Sequence, residues 1–323
     1  MAGGRRSRGD VPALVAQARE GEARAVARLI SMVEDASPAL REVMAGLAPY
    51  AGQAHVIGLT GAPGVGKSTS TSALVSLMRA RDRRVGVLAV DPSSPFSGGA
   101  LLGDRVRMEE HALDPEVFIR SMATRGHLGG LSWATPQALR VLDAAGCDVV
   151  LVETVGVGQS EVEVAAMADT TLVLLAPGMG DGIQAAKAGI LEIGDVYVIN
   201  KADREGADQL RRELRSMLAL GTGADEGWTP PIVRTVASRG EGLDDLAQAI
   251  EDHRTWLGDH DQLRVRRLRR AREEIEAIAL TSLRERWRDV HDHTDLDELA
   301  GAVVAGETDP YTAADRLLAA VGG

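Results

Sequence analysis

The chain has 323 residues, of which 45% are hydrophobic and 26% charged, a balance that excludes wholesale disorder and suits one large α/β domain with accessory segments. A net charge of −11 removes any long-range attraction for nucleic acid or an anionic membrane. The single cysteine, Cys147, excludes an intrachain disulfide framework and a Cys-cluster metal site. No apolar run reaches the roughly 18 residues of a spanning helix, and no signal-type apolar stretch follows Met1–Asp10. The expectation is a soluble, cytoplasmic protein with no nucleic-acid and no membrane partner.

Residues 10–50 read as helices. Leu14, Ala18, Ala25, Leu29 and Met32 fit a 3.6-residue period, with a break at Gly21 and a new start at Ser37-Pro38. From 55 to 237 short β-branched runs recur: 55–60, 85–90, 117–120, 148–152, 171–175, 196–199 and 232–236. Helical stretches at 68–80, 135–145, 182–192 and 205–219 separate most of them. Strands alternating with helices predict a parallel sheet buried on both faces. The stretch 221–231, rich in Gly, Thr and Pro, reads as a surface loop. Residues 243–323 are helical again. Within 262–290, Leu268, Ile275, Ile278 and Leu283 lie among nine arginines, and interleaved glutamates favour a solvated charged face. The apolar stripe also suits a subunit interface.

Gly61-Ala62-Pro63-Gly64-Val65-Gly66-Lys67-Ser68-Thr69 fits G-x-x-x-x-G-K-[ST], placed between a predicted strand and a predicted helix. The glycines let backbone N–H groups turn around phosphate oxygens, and the helix N-terminus adds partial positive charge. Lys67 neutralises β- and γ-phosphates; Ser68 places a hydroxyl on Mg²⁺. Asn200-Lys201-Ala202-Asp203 follows another apolar run and fits N-K-x-D. A carboxylate at Asp203 accepts from both N1–H and the exocyclic amine of guanine, a donor pair adenine lacks, so GTP and GDP are favoured over ATP. The stem of Lys201 covers the base face. Ser238-Arg239-Gly240, at the end of the last predicted strand, fits a loop closing over the base.

Glu153-Thr154-Val155-Gly156 resembles the D-x-x-G element, whose acid holds Mg²⁺ through water and whose glycine N–H senses the γ-phosphate. Here the acid is the longer Glu153. Asp91, before Pro92-Ser93-Ser94-Pro95, and Asp104, in a Gly-rich stretch, are further acids able to reach the metal. Where many GTPases place a water-orienting glutamine this chain has Val157, so hydrolysis alone is expected to be slow.

Together with Ser121–Gly126, Glu153–Glu161 and Ala176–Asp181, these segments resemble the MeaB/ArgK GTPases, a SIMIBI-class branch of P-loop proteins related to the human methylmalonic aciduria type A protein. The resemblance spans about 55–240. It implies an α/β P-loop NTPase fold with a mostly parallel central sheet and helical extensions at both ends. It also implies a GTPase that chaperones an adenosylcobalamin-dependent acyl-CoA mutase, usually methylmalonyl-CoA mutase, gating cofactor loading and protecting or reactivating it. A homodimer follows, with 1–50 as an N-terminal helical extension, 51–255 as the GTPase domain and 256–323 as a C-terminal dimerisation region. Lys67, Asp104 and Glu153 are implied as catalytic, and Ser68, Asp91, Asp104 and Glu153 as the residues around Mg²⁺. The segment near 177–188 would be an additional switch toward the mutase, with Gly178, Asp181 and Lys187 as coupling residues.

The lysine count adds to this. Against 33 arginines the chain has three lysines, and two of them, Lys67 and Lys201, fall in the nucleotide motifs. The third, Lys187, falls in the implied switch. Two other readings stay open. A nickel-insertion GTPase would need metal-holding Cys or His clusters, and a transport-linked small-molecule kinase would need an acceptor pocket.

Overall fold

Consecutive apolar residues within short β-branched runs must point to opposite sides of a strand, so a strand made of them is stable only with both faces covered. Val56 and Ile57, Leu88 and Val87, and Val150 and Leu151 are such pairs, and each pair is divided between two separate buried clusters. The computed structural model describes residues 10–92, 108–124, 134–154, 160–178, 192–221, 227–286 and 294–321. Strands β1 (His55–Thr60), β2 (Val85–Pro92), β3 (Val117–Thr124), β4 (Val149–Thr154), β5 (Thr170–Leu175), β6 (Val196–Ile199) and β7 (Ile232–Arg234) form one sheet. Its order is β3-β2-β4-β1-β5-β6-β7, and every pairing is parallel. The chain reverses direction of build at β1, which has β4 on one side and β5 on the other. In open parallel sheets ligands bind beyond the carboxyl ends of strands at such a switch point.

One face is covered by α1 (Val11–Arg19), α2 (Ala23–Glu34), α3 (Leu40–Leu47), α5 (Ala134–Ala144) and α6 (Ser160–Met167). The first three helices are part of the core: Leu29, Val33, Val43 and Leu47 are completely buried. Arg120 of β3 reaches back to Glu34 and to Ser31 Oγ. The opposite face carries α4 (Lys67–Ala80), which opens at the phosphate motif, and α8 (Leu243–Asp259). α7 (Ala207–Gly221) packs Leu210 and Leu214 beside Tyr197 and Ile199 near the β6–β7 edge.

The observed strands follow the expected ones, with β3 running four residues further to stay in register with β2 as far as Pro92 and Thr124. α6 has no counterpart in the sequence reading, because its eight residues show no clear apolar stripe. Tertiary packing makes it: a Cβ on Gly58 would stand 2.5 Å from Val164 Cγ1 and 3.0 Å from Ala168 Cβ, so only glycine in β1 admits this helix. The predicted helix at 182–192 lies almost wholly outside the described residues.

In helix α9 (Gln262–Arg286) Arg264 and Arg269 are solvated as expected, and two other arginines depart from that reading. Arg266 forms a two-pronged pair with Asp195, at 2.7 and 2.8 Å, and Arg267 pairs with the fully buried Asp169 at 2.9 Å. Asp169 also accepts from Val56 N, and Asp195 from Thr171 N. These two acids, just before β5 and β6, are held by a helix roughly 70 to 100 residues away in sequence. The chain divides into two units, Met1–Arg267 and Leu268–Gly323. The second contains the rest of α9, α10 (Thr294–Val304) and α11 (Pro310–Val321), with Ala313 and Leu317 buried. Leu268, Ile275, Ile278 and Leu283 are exposed. Among the described residues no helix is long and apolar enough to cross a membrane.

Candidate nucleotide site

The phosphate motif bridges the C-terminal end of β1 and the first turn of α4. Lys67, the first residue of α4, is buried, and its Nζ donates to the carbonyls of Gly61 at 2.6 Å and Ala62 at 3.3 Å. The ammonium therefore sits inside the loop's own arc, where a phosphate would meet it. Gly66 has φ +98°, and a Cβ there would stand 2.5 Å from Asn200 Nδ2. Both the backbone and the neighbour require glycine. Ser68 is half-buried at the helix start, Val65 is buried, and Pro63, Gly64 and Thr69 are exposed.

The base motif begins as β6 ends. Asn200 is buried, donates from Nδ2 to Val65 O at 2.9 Å, and accepts at Oδ1 from Ala237 N at 3.1 Å. One amide thus ties the phosphate loop to the segment after β7. Lys201 takes a left-handed backbone, φ 55°, and its Nζ donates to Gly64 O at 2.6 Å. Asp203 faces solvent and pairs with Arg239 at 3.5 Å, while Arg239 also holds Glu241 at 2.8 Å. Ser238 and Gly240 flank Arg239 on the same exposed turn. Residues of the phosphate and base motifs, about 135 positions apart, are joined by direct hydrogen bonds.

Glu153 stands near the end of β4, in register with Leu59 of β1 and Ala89 of β2, and is buried. Thr71 Oγ1 donates to Glu153 Oε2. Asp91 lies near the end of β2, in register with Ala123 of β3. Asp104, Gly156, Asp181 and Lys187 lie outside the described residues; Gly178 is within them, with φ +81°. Serine hydroxyl and carboxylate oxygens are hard donors that suit Mg²⁺, which relies on few protein ligands and on substrate phosphates. The described residues hold no cluster of three or more His, Cys, Asp or Glu able to bind a metal. The carbonyl-tying role of Asn200 and the Thr71–Glu153 contact were not legible in the sequence, since both partners in each case are remote in the chain.

Two cavities, about 410 and 450 Å³, lie at the other end of the strands and share Arg83, Asp148 and Arg254 in their walls. No residue of the phosphate or base motif lines them.

The family model described as methylmalonyl-CoA mutase-associated GTPase MeaB matches residues 26–292. The chain belongs to the MeaB family. A Pyrococcus abyssi relative named as a GTPase is 46% identical, covering 94% of this chain and 95% of its own. GTPase ArgK of Escherichia coli is 39% identical over 74% of each chain. The mouse mitochondrial methylmalonic aciduria type A homolog is 35% identical over 82% of this chain and 65% of its own. A crystal structure titled LAO/AO transport system kinase superposes with a TM-score of 0.69 at 27% identity, covering 99% of this chain and 100% of that one. The fold is therefore the P-loop NTPase fold, and this MeaB-family chain carries its phosphate and base motifs at the carboxyl ends of β1 and β6.

Proposed function

We propose that the chain binds GTP and GDP between its phosphate loop and its base motif, and hydrolyses GTP slowly with Mg²⁺. The observation that carries this reading is the pair of bonds from Asn200 and Lys201 to Val65 O and Gly64 O. They hold the phosphate-binding and base-reading segments together, and such preorganisation lowers the cost of binding. Asp203 reads the two donors on guanine. Backbone N–H groups at the start of α4 receive the phosphates, and Lys67 adds a compact positive charge where phosphoryl charge accumulates. Bound Mg²⁺ would neutralise β- and γ-phosphate oxygens, with Ser68 and Glu153 as the chain's own groups toward it and Asp91 and Asp104 as further acids. Lys67, Asp104 and Glu153 are the catalytic assignments.

The biological reading is a chaperone of an adenosylcobalamin-dependent acyl-CoA mutase, most naturally methylmalonyl-CoA mutase, working in the cytoplasm as a homodimer. Family membership supports the mutase, and the exposed Leu268, Ile275, Ile278 and Leu283 support a second copy as the occupant of that stripe. Gly178, Asp181 and Lys187 are assigned to mutase coupling. Calorimetry with GDP and ADP tests the nucleotide reading; equal affinity would end it. Single-turnover GTP hydrolysis with and without a mutase tests the chaperone reading. Stimulation by the mutase, weakened in Lys187→Ala with GDP affinity kept, is the expected result. Absence of stimulation by any acyl-CoA mutase would remove the role.

A further inference from the structure

The Thr71 hydroxyl touches two acceptors, Glu153 Oε2 at 2.5 Å and Lys67 O at 3.1 Å, and Thr71 is completely buried. The second contact is the ordinary back-bond of a helical threonine to the carbonyl four residues earlier. The first is not ordinary. It crosses from α4 to β4, spanning 82 positions of sequence, and ends on a buried carboxylate. A hydroxyl has one hydrogen to give, and a carboxylate is the stronger acceptor. The Glu153 carboxylate therefore takes it.

We infer that Thr71 is the positioning residue for Glu153: it aims the carboxylate at the metal side of the nucleotide site. This rests on the proposed Mg²⁺ role of Glu153 and deepens it. Glu153 departs from the shorter aspartate of most D-x-x-G elements. The longer side chain has one more rotatable bond and more ways to miss a metal-bound water. Holding Oε2 against α4 narrows the directions in which Oε1 can point. Ser68, the proposed metal hydroxyl, lies three residues before Thr71, so both hydroxyls project from one side of the helix. One face of α4 thus offers the group toward the metal and the group that orients the acid behind it. Such supporting hydrogen bonds are worth about 10- to 100-fold in metal affinity at other sites.

The test is release of a fluorescent GDP from the full chain as Mg²⁺ is titrated, for wild type, Thr71→Val, Thr71→Ser and Glu153→Gln. Thr71→Val keeps the shape and removes the hydroxyl. It should bind GDP like wild type in EDTA, and need about 10- to 100-fold more Mg²⁺ to slow release half-maximally. Thr71→Ser should restore the wild-type midpoint. A wild-type midpoint in Thr71→Val, or a Thr71→Ser as impaired as the valine variant, overturns the proposal. Glu153→Gln separates the two ways of failing. If it shifts the midpoint and Thr71→Val does not, only Thr71 loses its role. If Glu153→Gln leaves the midpoint unmoved, the metal role of Glu153 falls and the proposal with it.

Discussion

Single residues in this site do their work through contacts with distant chain segments. Asp203 differs from its neighbours Asn200 and Lys201 in facing solvent, where its carboxylate meets Arg239 at 3.5 Å and stays within reach of a base. Asp203→Asn reverses one acceptor to a donor, so nucleotide preference should move from guanine toward xanthine, measured by competition between GDP and XDP. Gly66 sets a different limit. Gly66→Ala forces a Cβ into a left-handed position and against the Asn200 amide, 2.5 Å away. A strained backbone of this kind costs about 1–3 kcal/mol. The melting temperature should fall accordingly, and GDP binding, read by calorimetry, should weaken as the loop shifts to relieve the strain. Lys67→Ala removes the charge held over the loop carbonyls, and GTP turnover should fall to near zero.

At the scale of elements, the joint between α9 and the sheet carries the clearest energetic prediction. Arg267 meets a carboxylate with no exposure, and the same Asp169 caps the Val56 amide. Removing Asp169 takes the acceptor from the buried Val56 amide at a cost of about 1–3 kcal/mol, while the partly exposed Arg267 keeps the carbonyls of Gly52 and Ala54. Asp169→Ala leaves Arg267 without its carboxylate, and urea unfolding should show a loss of that order. The exposed pair Arg264–Asp261, at the start of α9, is the contrast. Both partners are largely solvated, and Arg264→Ala should leave the urea midpoint unchanged within error.

At the scale of the whole molecule, a buried chain of polar groups sets a pH dependence. His55 Nε2 and His253 Nδ1 each lie 2.8 Å from Thr170 Oγ1, and His253 Nε2 stands 3.3 Å from Asp195 Oδ1, poorly aligned for a hydrogen bond. Burial pushes both histidines down to about 4, outweighing the attraction of Asp169 for His55 and of Asp195 for His253. In the unfolded chain each titrates near 6.5. Between pH 6.5 and 4 the unfolded state binds more protons, so stability is full above about 6.5 and declines as pH falls toward 4. The slope approaches about 1.4 kcal/mol per pH unit for each histidine in the middle of that window. Urea midpoints should be flat from pH 8 to 7 and fall steeply from 6.5 to 4.5. Replacing both histidines with glutamine should flatten the fall.

The sequence by itself determined the parallel sheet and the composition of the two nucleotide motifs. Both depend on local information: β-branched runs that bury two faces, glycines that permit a phosphate-binding turn, and an asparagine, lysine and aspartate at fixed spacing. Family membership was legible for the same reason, because the motif strings are contiguous. Three features needed the tertiary structure. Helix α6 forms because Gly58 makes room for Val164, a fact of two segments about a hundred residues apart. Arg266 and Arg267 look like the other arginines of α9, and only the approach of Asp195 and Asp169 turns them from solvated charges into half-buried partners of buried acids. Thr71 reads as an ordinary helical threonine until β4 brings Glu153 against it. Periodicity and spacing report which face of an element is buried. Which particular groups meet across that face depends on the packing of remote segments, and those meetings fix the charges, the strain and the aim of the side chains.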